Sequence, residues 1–565
     1  MTNPISPGKN NFLSIWIFLI FLIVAIGLIA WQLVPRGIFK DLTKSYKGEI
    51  SLVYAPELEP IINQINDKFN SISDYKLKAI KTSSGEARTQ IVSNQIKPDI
   101  YLPTSSAWLE IANFESSQNL FDTAKTTSVA YSPVGIAMWE SKYNLVRQKF
   151  NKDKFSWNEL TQIASNPNGW KSLDPSLARA NYYGGMTDPQ ISTTGLSALV
   201  SQYYNASKLP ENLSVTNVND ETVKEQVRNY QSTIRHYSAN TVVFREYLSR
   251  GSDYIDSIPL AENDLIYVNN PKTGPKPNQK LVMVYPEEGS IVHNYPLGIS
   301  SQLENSKQDS VNKLKDLFLS SEIQNNFTAE GFRPADLNKH SNLSVPFNAD
   351  YGVNPKEPLK KLTIPIGEVL SKIQNNWQFT KKRAKIQILL DTSGSMQGAK
   401  IKNAKKALDV FTNDLSGQNK VGLTNFNTGV TNLIVPENLE TNKPRIQASY
   451  NELPADGSTA LYDGIIEAIS NFKNDSLSNI NNEIQAVLVL SDGGDTSSKN
   501  KLSDVLSLIE KSQNSNNPII IIPVAYGTDA DMNVLNSIAR SSKTTVQQGD
   551  TDNIQKLLAN ISSYF

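Results

Sequence analysis

Residues Lys385 to Met396 read KIQILLDTSGSM. An apolar run stops at Asp391, and Ser393 and Ser395 follow on alternate positions. Alternation can turn all three oxygen-bearing side chains toward one point, and Gly394 permits the tight bend between them. Carboxylate and hydroxyl oxygens suit a hard divalent cation such as Mg²⁺, which wants oxygen ligands and usually keeps several waters. Taken alone, the same hexapeptide also reads as a strand-to-helix turn with Ser and Asp as caps. The flanking sequence decides between them.

From Lys385 onward, strand and helix signals alternate. Apolar strands are expected at 385–390, 420–425, 484–490 (IQAVLVL) and 518–525 (PIIIIPVA). Helical patterns fall at 399–415, 459–472, 503–512, 533–540 and 554–561. Continuously apolar strands imply a mostly parallel sheet covered on both faces, and ligands in such sheets bind beyond the carboxyl ends of the strands. Asp391 lies at one such end. Two more oxygen-rich clusters stand where loops of this fold would meet: Asp456-Gly457-Ser458-Thr459 before a helix, and Ser491-Asp492-Gly493-Gly494-Asp495 after a strand.

DTSGSM, then GSTALYDGI (457–465), then VLSDGGDT (489–496) together resemble a von Willebrand factor A domain with an intact metal-ion-dependent adhesion site. The family's DxSxS falls on Asp391, Ser393 and Ser395, its threonine on Thr459 and its distal aspartate on Asp492. The resemblance implies a Rossmann-like domain over 385–565 and Mg²⁺, or Mn²⁺ or Ca²⁺, as cofactor. It also implies a protein partner that offers a carboxylate to the metal. Asp495 fits the loop but not the motif and reads as a capping residue.

Ahead of this lies a second α/β stretch. EISLVY (49–54) reads as a strand and PIINQINDKF (60–69) as a helix, and the rhythm continues through YKLKAI and DIYLPT. Asn269–Lys280 and Asn338–Glu357 read as loops, the second long enough to mark a boundary. A helical pattern over 362–377 and the basic run KKRAK (Lys381–Lys385) lead into the opening strand. Several phrases resemble extracytoplasmic solute-binding proteins, among them KTSSGEARTQI (81–91), YSPVGIAM (131–138), TDPQISTTGL (187–196), LAENDLIYVN (260–269) and VYPEEGS (284–290). The resemblance implies a two-lobed, periplasmic-binding-protein-like α/β domain over 49–378, followed by a linker at 379–384. Ser83, Ser84, Ser192 and Thr193 precede helical patterns, where backbone amides and hydroxyls can hold an anion. Ser132, Glu262 and Tyr285 are further candidates for a small solute or oxyanion. Helix capping is the alternative for the serines and threonines, and the cleft is either a working site or a scaffold. Trp108, Trp157 and Trp377 read as packing residues.

The N-terminus carries FLSIWIFLIFLIVAIGLIAWQLV at 12–34, uncharged and long enough to cross a hydrocarbon core of about 30 Å. A cleavable leader would have a shorter apolar region and a small-x-small site after it. A transmembrane anchor is therefore expected at 12–34, with a tail at 1–11 and a stalk at 35–48. Lys9 precedes the span while Arg36, Lys40, Lys44 and Lys47 follow it, a bias toward cytoplasmic domains that long domains largely escape. The solute-binding resemblance places both domains on the extracytoplasmic side of a single-pass membrane protein.

The chain has 565 residues, too many for one core, with 55 basic and 55 acidic side chains. That balance gives no general electrostatic case for nucleic acid. Cysteine is absent, removing thiolate nucleophiles and Cys-based zinc sites. His236, His293 and His340 are the only histidines, with no HExxH pair and no GxxxxGK[ST] loop anywhere. A binding protein is expected rather than an enzyme. Its leading role is metal-dependent recognition of another protein at the cell envelope. A solute receptor signalling to a transporter or sensor through the A domain is the second. A chelatase-like, ATPase-partnered assembly factor is the third, and it requires cytoplasmic domains.

Overall fold

The computed structural model describes residues 45–565, apart from 210, 273, 275–278, 358, 473–482, 514, 516 and 528. The span expected at 12–34 lies outside these residues. Among the described residues, no helix is long and apolar enough to cross a membrane.

The N-terminal part folds as two lobes, each with its own sheet. In the first, parallel strands Glu49–Tyr54, Lys76–Lys81 and Ile100–Leu102 are joined antiparallel by Pro296–Ile299. Helix Glu59–Ile72 packs on this sheet because Ile61, Ile62, Ile65 and Phe69 recur at helical spacing on one face. The second lobe is built around the long strand Ala130–Trp139, whose residues are almost all buried. Ser257–Ala261, Leu281–Val284 and Val292–His293 pair with it antiparallel, and Gly184–Thr187 and Ile234–Ser238 extend the sheet. The chain crosses between lobes just before Ala130, between His293 and Pro296, and again at Arg333, where Arg333–Pro334 returns to pair with Ala130–Trp139.

The C-terminal domain is a six-stranded sheet with Arg383–Asp391 near its middle, paired in parallel with Lys420–Phe426 and Glu483–Ser491. Ile519–Tyr526 and Gln547–Gly549 continue the parallel run. Successive side chains of a strand point to opposite faces. Ile386, Ile388 and Leu390 accordingly enter one core, with helices Ala399–Asp414 and Ile554–Ser562. Leu389 enters the other, with helices Leu461–Ser470, Leu502–Gln513 and Met532–Ser541. Burial on both faces explains the unbroken apolar strands.

Three features depart from the expectations. An antiparallel edge strand, Val430–Asn438, and a helix, Leu439–Glu452, fill a stretch with no sequence assignment. The stretch Asn338–Glu357, read as a boundary loop, is folded onto the second lobe, where Phe347 and Val353 are buried in its core. Finally, the last helix of the N-terminal part runs Gly367–Thr380 and the next strand starts at Arg383, leaving Lys381 and Lys382 between them. That helix lies against both lobes: its first residue abuts the Glu110 carbonyl in the first. Further along, Gln374 Nε2 donates to Pro189 O (2.8 Å) and Asn376 Nδ2 to Val218 O (3.0 Å) in the second.

Candidate metal centre and interlobe cleft

Strand Arg383–Asp391 ends with its aspartate fully buried, and the chain then turns through Thr392–Gly394. The Asp391 carboxylate accepts from the Ser393 amide (2.9 Å) and from Ser491 Oγ (2.6 Å), which fixes its plane. Ser393 Oγ lies 3.0 Å from Ser395 Oγ, and Ser395 Oγ donates to Asp492 Oδ1 (2.7 Å). Two backbone bonds seat the second loop beside the first: Gly394 N donates to Gly457 O (2.9 Å) and Asp456 N to Thr392 O (2.8 Å). Thr459 follows in that loop, nearly buried. Its amide donates to Thr496 Oγ1 (2.9 Å) and its carbonyl accepts from Thr496 N (2.8 Å), tying it to the third loop. Asp391, Ser393, Ser395 and Asp492 thus form one connected cluster, with Thr459 on the loop beside it. Asp495 lies elsewhere, accepting from the Tyr462 amide (3.2 Å) at the start of helix Leu461–Ser470, a capping position.

Asp391 and Asp492 are both fully buried. Burial raises the Asp391 pKa, the Ser393 and Ser491 bonds oppose that, and the Asp492 charge adds to it. Two buried carboxylates need positive charge. Here Lys400, reaching in from the next helix, donates to Asp492 Oδ2 (2.6 Å) and lies 3.4 Å from Asp529. Burial pulls the Lys400 pKa down, but its bonds to Asp492 outweigh this and hold it above the usual value. Among the described residues there is no group of three or more His, Cys, Asp or Glu side chains placed to hold a metal ion. The connected groups at this site are instead two carboxylates and the hydroxyls of Ser393 and Ser395, hard oxygen chemistry that fits Mg²⁺, Mn²⁺ or Ca²⁺, with Thr459 on the neighbouring loop. Lys400 and the orienting role of Ser491 were not foreseen. Ser491 stands directly before Asp492, whereas nothing in the spacing marks Lys400.

A cleft of about 320 Å³ opens between the two lobes. Ser83, Ser84, Ser192 and Thr193 line it, at the starts of helices Ser84–Val92 and Thr193–Ser207. Sequence reading missed Glu57, Glu59, Arg245 and Asp264, which with Lys81 supply its charge. Burial raises the Glu57 pKa, and its carboxylate accepts from Thr104 Oγ1 (2.6 Å). Asp264 pairs with Arg245 (3.2 Å). Ser132, Glu262 and Tyr285 do not line the cleft. Ser132 Oγ, fully buried, donates to Asn263 Oδ1 (2.7 Å). Glu262 is locked in a two-pronged pair with Arg333 (2.6 and 2.8 Å) and also accepts from the Tyr285 hydroxyl. Their polarity satisfies neighbours inside the second lobe.

The lobes touch across the cleft. Gly85 N donates to Ile191 O (3.1 Å), and a Cβ at Gly85 would lie 2.3 Å from Gln190 O, so only glycine allows this approach. Trp108 Nε1, from the first lobe, donates to Thr193 Oγ1 (2.8 Å) in the second. The three expected packing tryptophans, Trp108, Trp157 and Trp377, are all buried.

Residues 50–333 match the family of bacterial extracellular solute-binding proteins, and residues 386–560 match the von Willebrand factor type A domain. No curated protein matches the chain in sequence. Among solved structures, a periplasmic thiamin binding protein is 12% identical, with 60% of this chain and 97% of that one covered and a TM-score of 0.41. The periplasmic binding protein AfuA from Actinobacillus pleuropneumoniae, with fructose-6-phosphate bound, is 15% identical over 60% and 100% of the two chains, with a TM-score of 0.39. A von Willebrand factor type A protein from Catenulispora acidiphila is 19% identical over 32% of this chain and 43% of that one, with a TM-score of 0.28.

Proposed function

We propose that this chain, which belongs to the bacterial extracellular solute-binding proteins and carries a von Willebrand factor type A domain after them, is an extracytoplasmic binding protein that recognises a protein partner through a divalent cation. Asp391, Ser393, Ser395, Thr459 and Asp492 would hold the ion, with Ser491 orienting Asp391. The ion would supply a directional, charge-assisted link to a carboxylate on the partner. The observation that carries this reading is the hydrogen-bonded chain Ser393–Ser395–Asp492 beside the buried Asp391 carboxylate. It offers oxygen donors from separate loops at one point. Binding, not turnover, is the job the donor set suits, since the cluster holds no nucleophile paired with a base. The site residues, the domain limits at 49–378 and 385–565, and the anchor at 12–34 are parts of the same proposal.

The test is calorimetric titration of Mg²⁺ into the full chain. Uptake near one ion per chain, weakened at least tenfold in Asp391→Ala and Thr459→Ala, is expected. Equal uptake by wild type and Asp391→Ala would sink the metal site. Protease accessibility in spheroplasts tests the placement: complete protection of both domains would overturn it.

A second reading is favoured by one feature. Helix Gly367–Thr380 touches both lobes and continues, through Lys381 and Lys382, into the strand that ends at Asp391. A solute held between the lobes would bear on that helix, and the A domain would report it. A thermal-shift panel of oxyanions, metal ions and small solutes addresses the cleft. Absence of any stabilisation would leave it a scaffold.

A further inference from the structure

The basic run that leads into the first strand of the A domain has no part in the metal centre. Lys381, Lys382 and Arg383 line, with Arg228 and Glu225 of the second lobe, a cavity of about 370 Å³ at the junction of the two domains. Four cations face it against a single carboxylate, and Arg228 already engages that carboxylate. Lys382 Nζ donates to Ser232 O (3.0 Å) and Lys381 Nζ to Ser563 O (3.0 Å), both carbonyls. Among the described residues, none of Lys381, Lys382 and Arg383 forms an ion pair.

The excess continues inward. Lys382 also lines a smaller hollow of about 30 Å³ beside Arg235. Arg235 is only 8% exposed, and its Nε and one terminal nitrogen have no hydrogen-bond partner there. Glu483 borders that hollow but pairs with Lys420 (3.0 Å). The Asp188 charge pulls the Lys381 pKa up from the lobe side, against the effect of burial. Burial holds Lys382 down to about 7, helped by the Arg235 charge, and Lys381 down to about 8. Both shifts arise first from burial of the ammonium groups.

We propose that this junction is a binding site for a phosphate-class oxyanion. Such an ion would meet the cations that no carboxylate pairs, and the planar fork of Arg383 suits its oxygens. The site is a compact concave pocket rather than a stripe, which suits a small anion and not a nucleic-acid strand. An oxyanion there would fasten Arg228 and Ser232 of the solute-binding lobe to Arg383 of the A domain, adding an ionic clamp between them.

The probe is inorganic phosphate, titrated calorimetrically into the full chain at constant ionic strength against a chloride baseline. Arg383→Met removes an exposed side chain and leaves folding undisturbed. It should weaken uptake about tenfold, the loss of one charge-assisted contact. Lys382→Met should do the same, with circular dichroism confirming its fold. Lys149→Met, an exposed charge in the second lobe away from the junction, should bind phosphate as wild type does, whereas Thr194→Val reports on the interlobe cleft alone. Absence of uptake at millimolar phosphate would overturn the proposal. So would equal weakening by Lys149→Met, or binding lost in Thr194→Val but kept in the junction variants.

Discussion

Replacing Lys400 by methionine should tighten Mg²⁺ binding about tenfold. The ammonium lies 2.6 Å from Asp492 Oδ2, with Asp492 fully buried and the Lys400 side chain 25% exposed. A cation arriving at Asp492 must compete with that bond and with the positive charge behind it. A hydrogen bond to a charged group is worth about 1.5–3 kcal/mol when water is excluded. Partial exposure of Lys400, and its longer 3.4 Å contact with Asp529, argue for the lower end. About 1.4 kcal/mol corresponds to a factor of ten in dissociation constant. Methionine keeps most of the stem and removes only the charge. Two readouts apply: the calorimetric affinity, and the rise in melting temperature on adding saturating Mg²⁺. The rise should be larger in the variant, since Asp492 then lacks its counter-charge until metal arrives. An affinity equal to or weaker than wild type would refute the idea that Lys400 competes with the metal.

Two further outcomes follow from buried groups. Arg333→Leu should destabilise the second lobe by about 3–5 kcal/mol, because it leaves the fully buried Glu262 carboxylate without its partner. Urea denaturation measures this, and a loss below about 1 kcal/mol would mean that Glu262 is relieved in some other way. Acid should also unfold the protein early. Burial drives the His293 pKa down to about 3, and that of His236 well below its usual value. The unfolded chain therefore binds protons that the folded one does not, so stability falls as pH drops below about 6.5. At pH 5 each such histidine costs about 2 kcal/mol relative to neutral pH. His293→Gln should remove one share of that loss, and an unchanged pH slope in the variant would count against the assignment.

Much of this was legible in the sequence, and what was not has physical causes. The central strands of the A domain announce themselves because both faces are buried, so apolar residues run on unbroken from Ile388 to Leu390 and from Ile519 to Ile522. The edge strand Val430–Asn438 exposes Leu433 and Val435 and contains Pro436, and the helix after it contains Pro444, so neither follows its usual pattern. Asp391, Ser393 and Ser395 were readable because they are close in sequence. Lys400 reaches Asp492 across the fold, a contact that no local spacing encodes. Of the residues proposed for the cleft, those at helix starts line it, while Ser132, Glu262 and Tyr285 lie outside it. A polar side chain beside a strand serves an internal partner as readily as a ligand, and only three dimensions tell which.

The close seat of Gly367 has a kinetic corollary. A Cβ there would lie 2.2 Å from the Glu110 carbonyl, so the helix rests on the first lobe with almost no slack while its later turns are bonded to the second. Two lobes joined only by crossover strands can swing freely. Two lobes also bridged by a rod must shed that rod to part widely. Parting of the lobes would then proceed no faster than Gly367–Thr380 comes away from one of them.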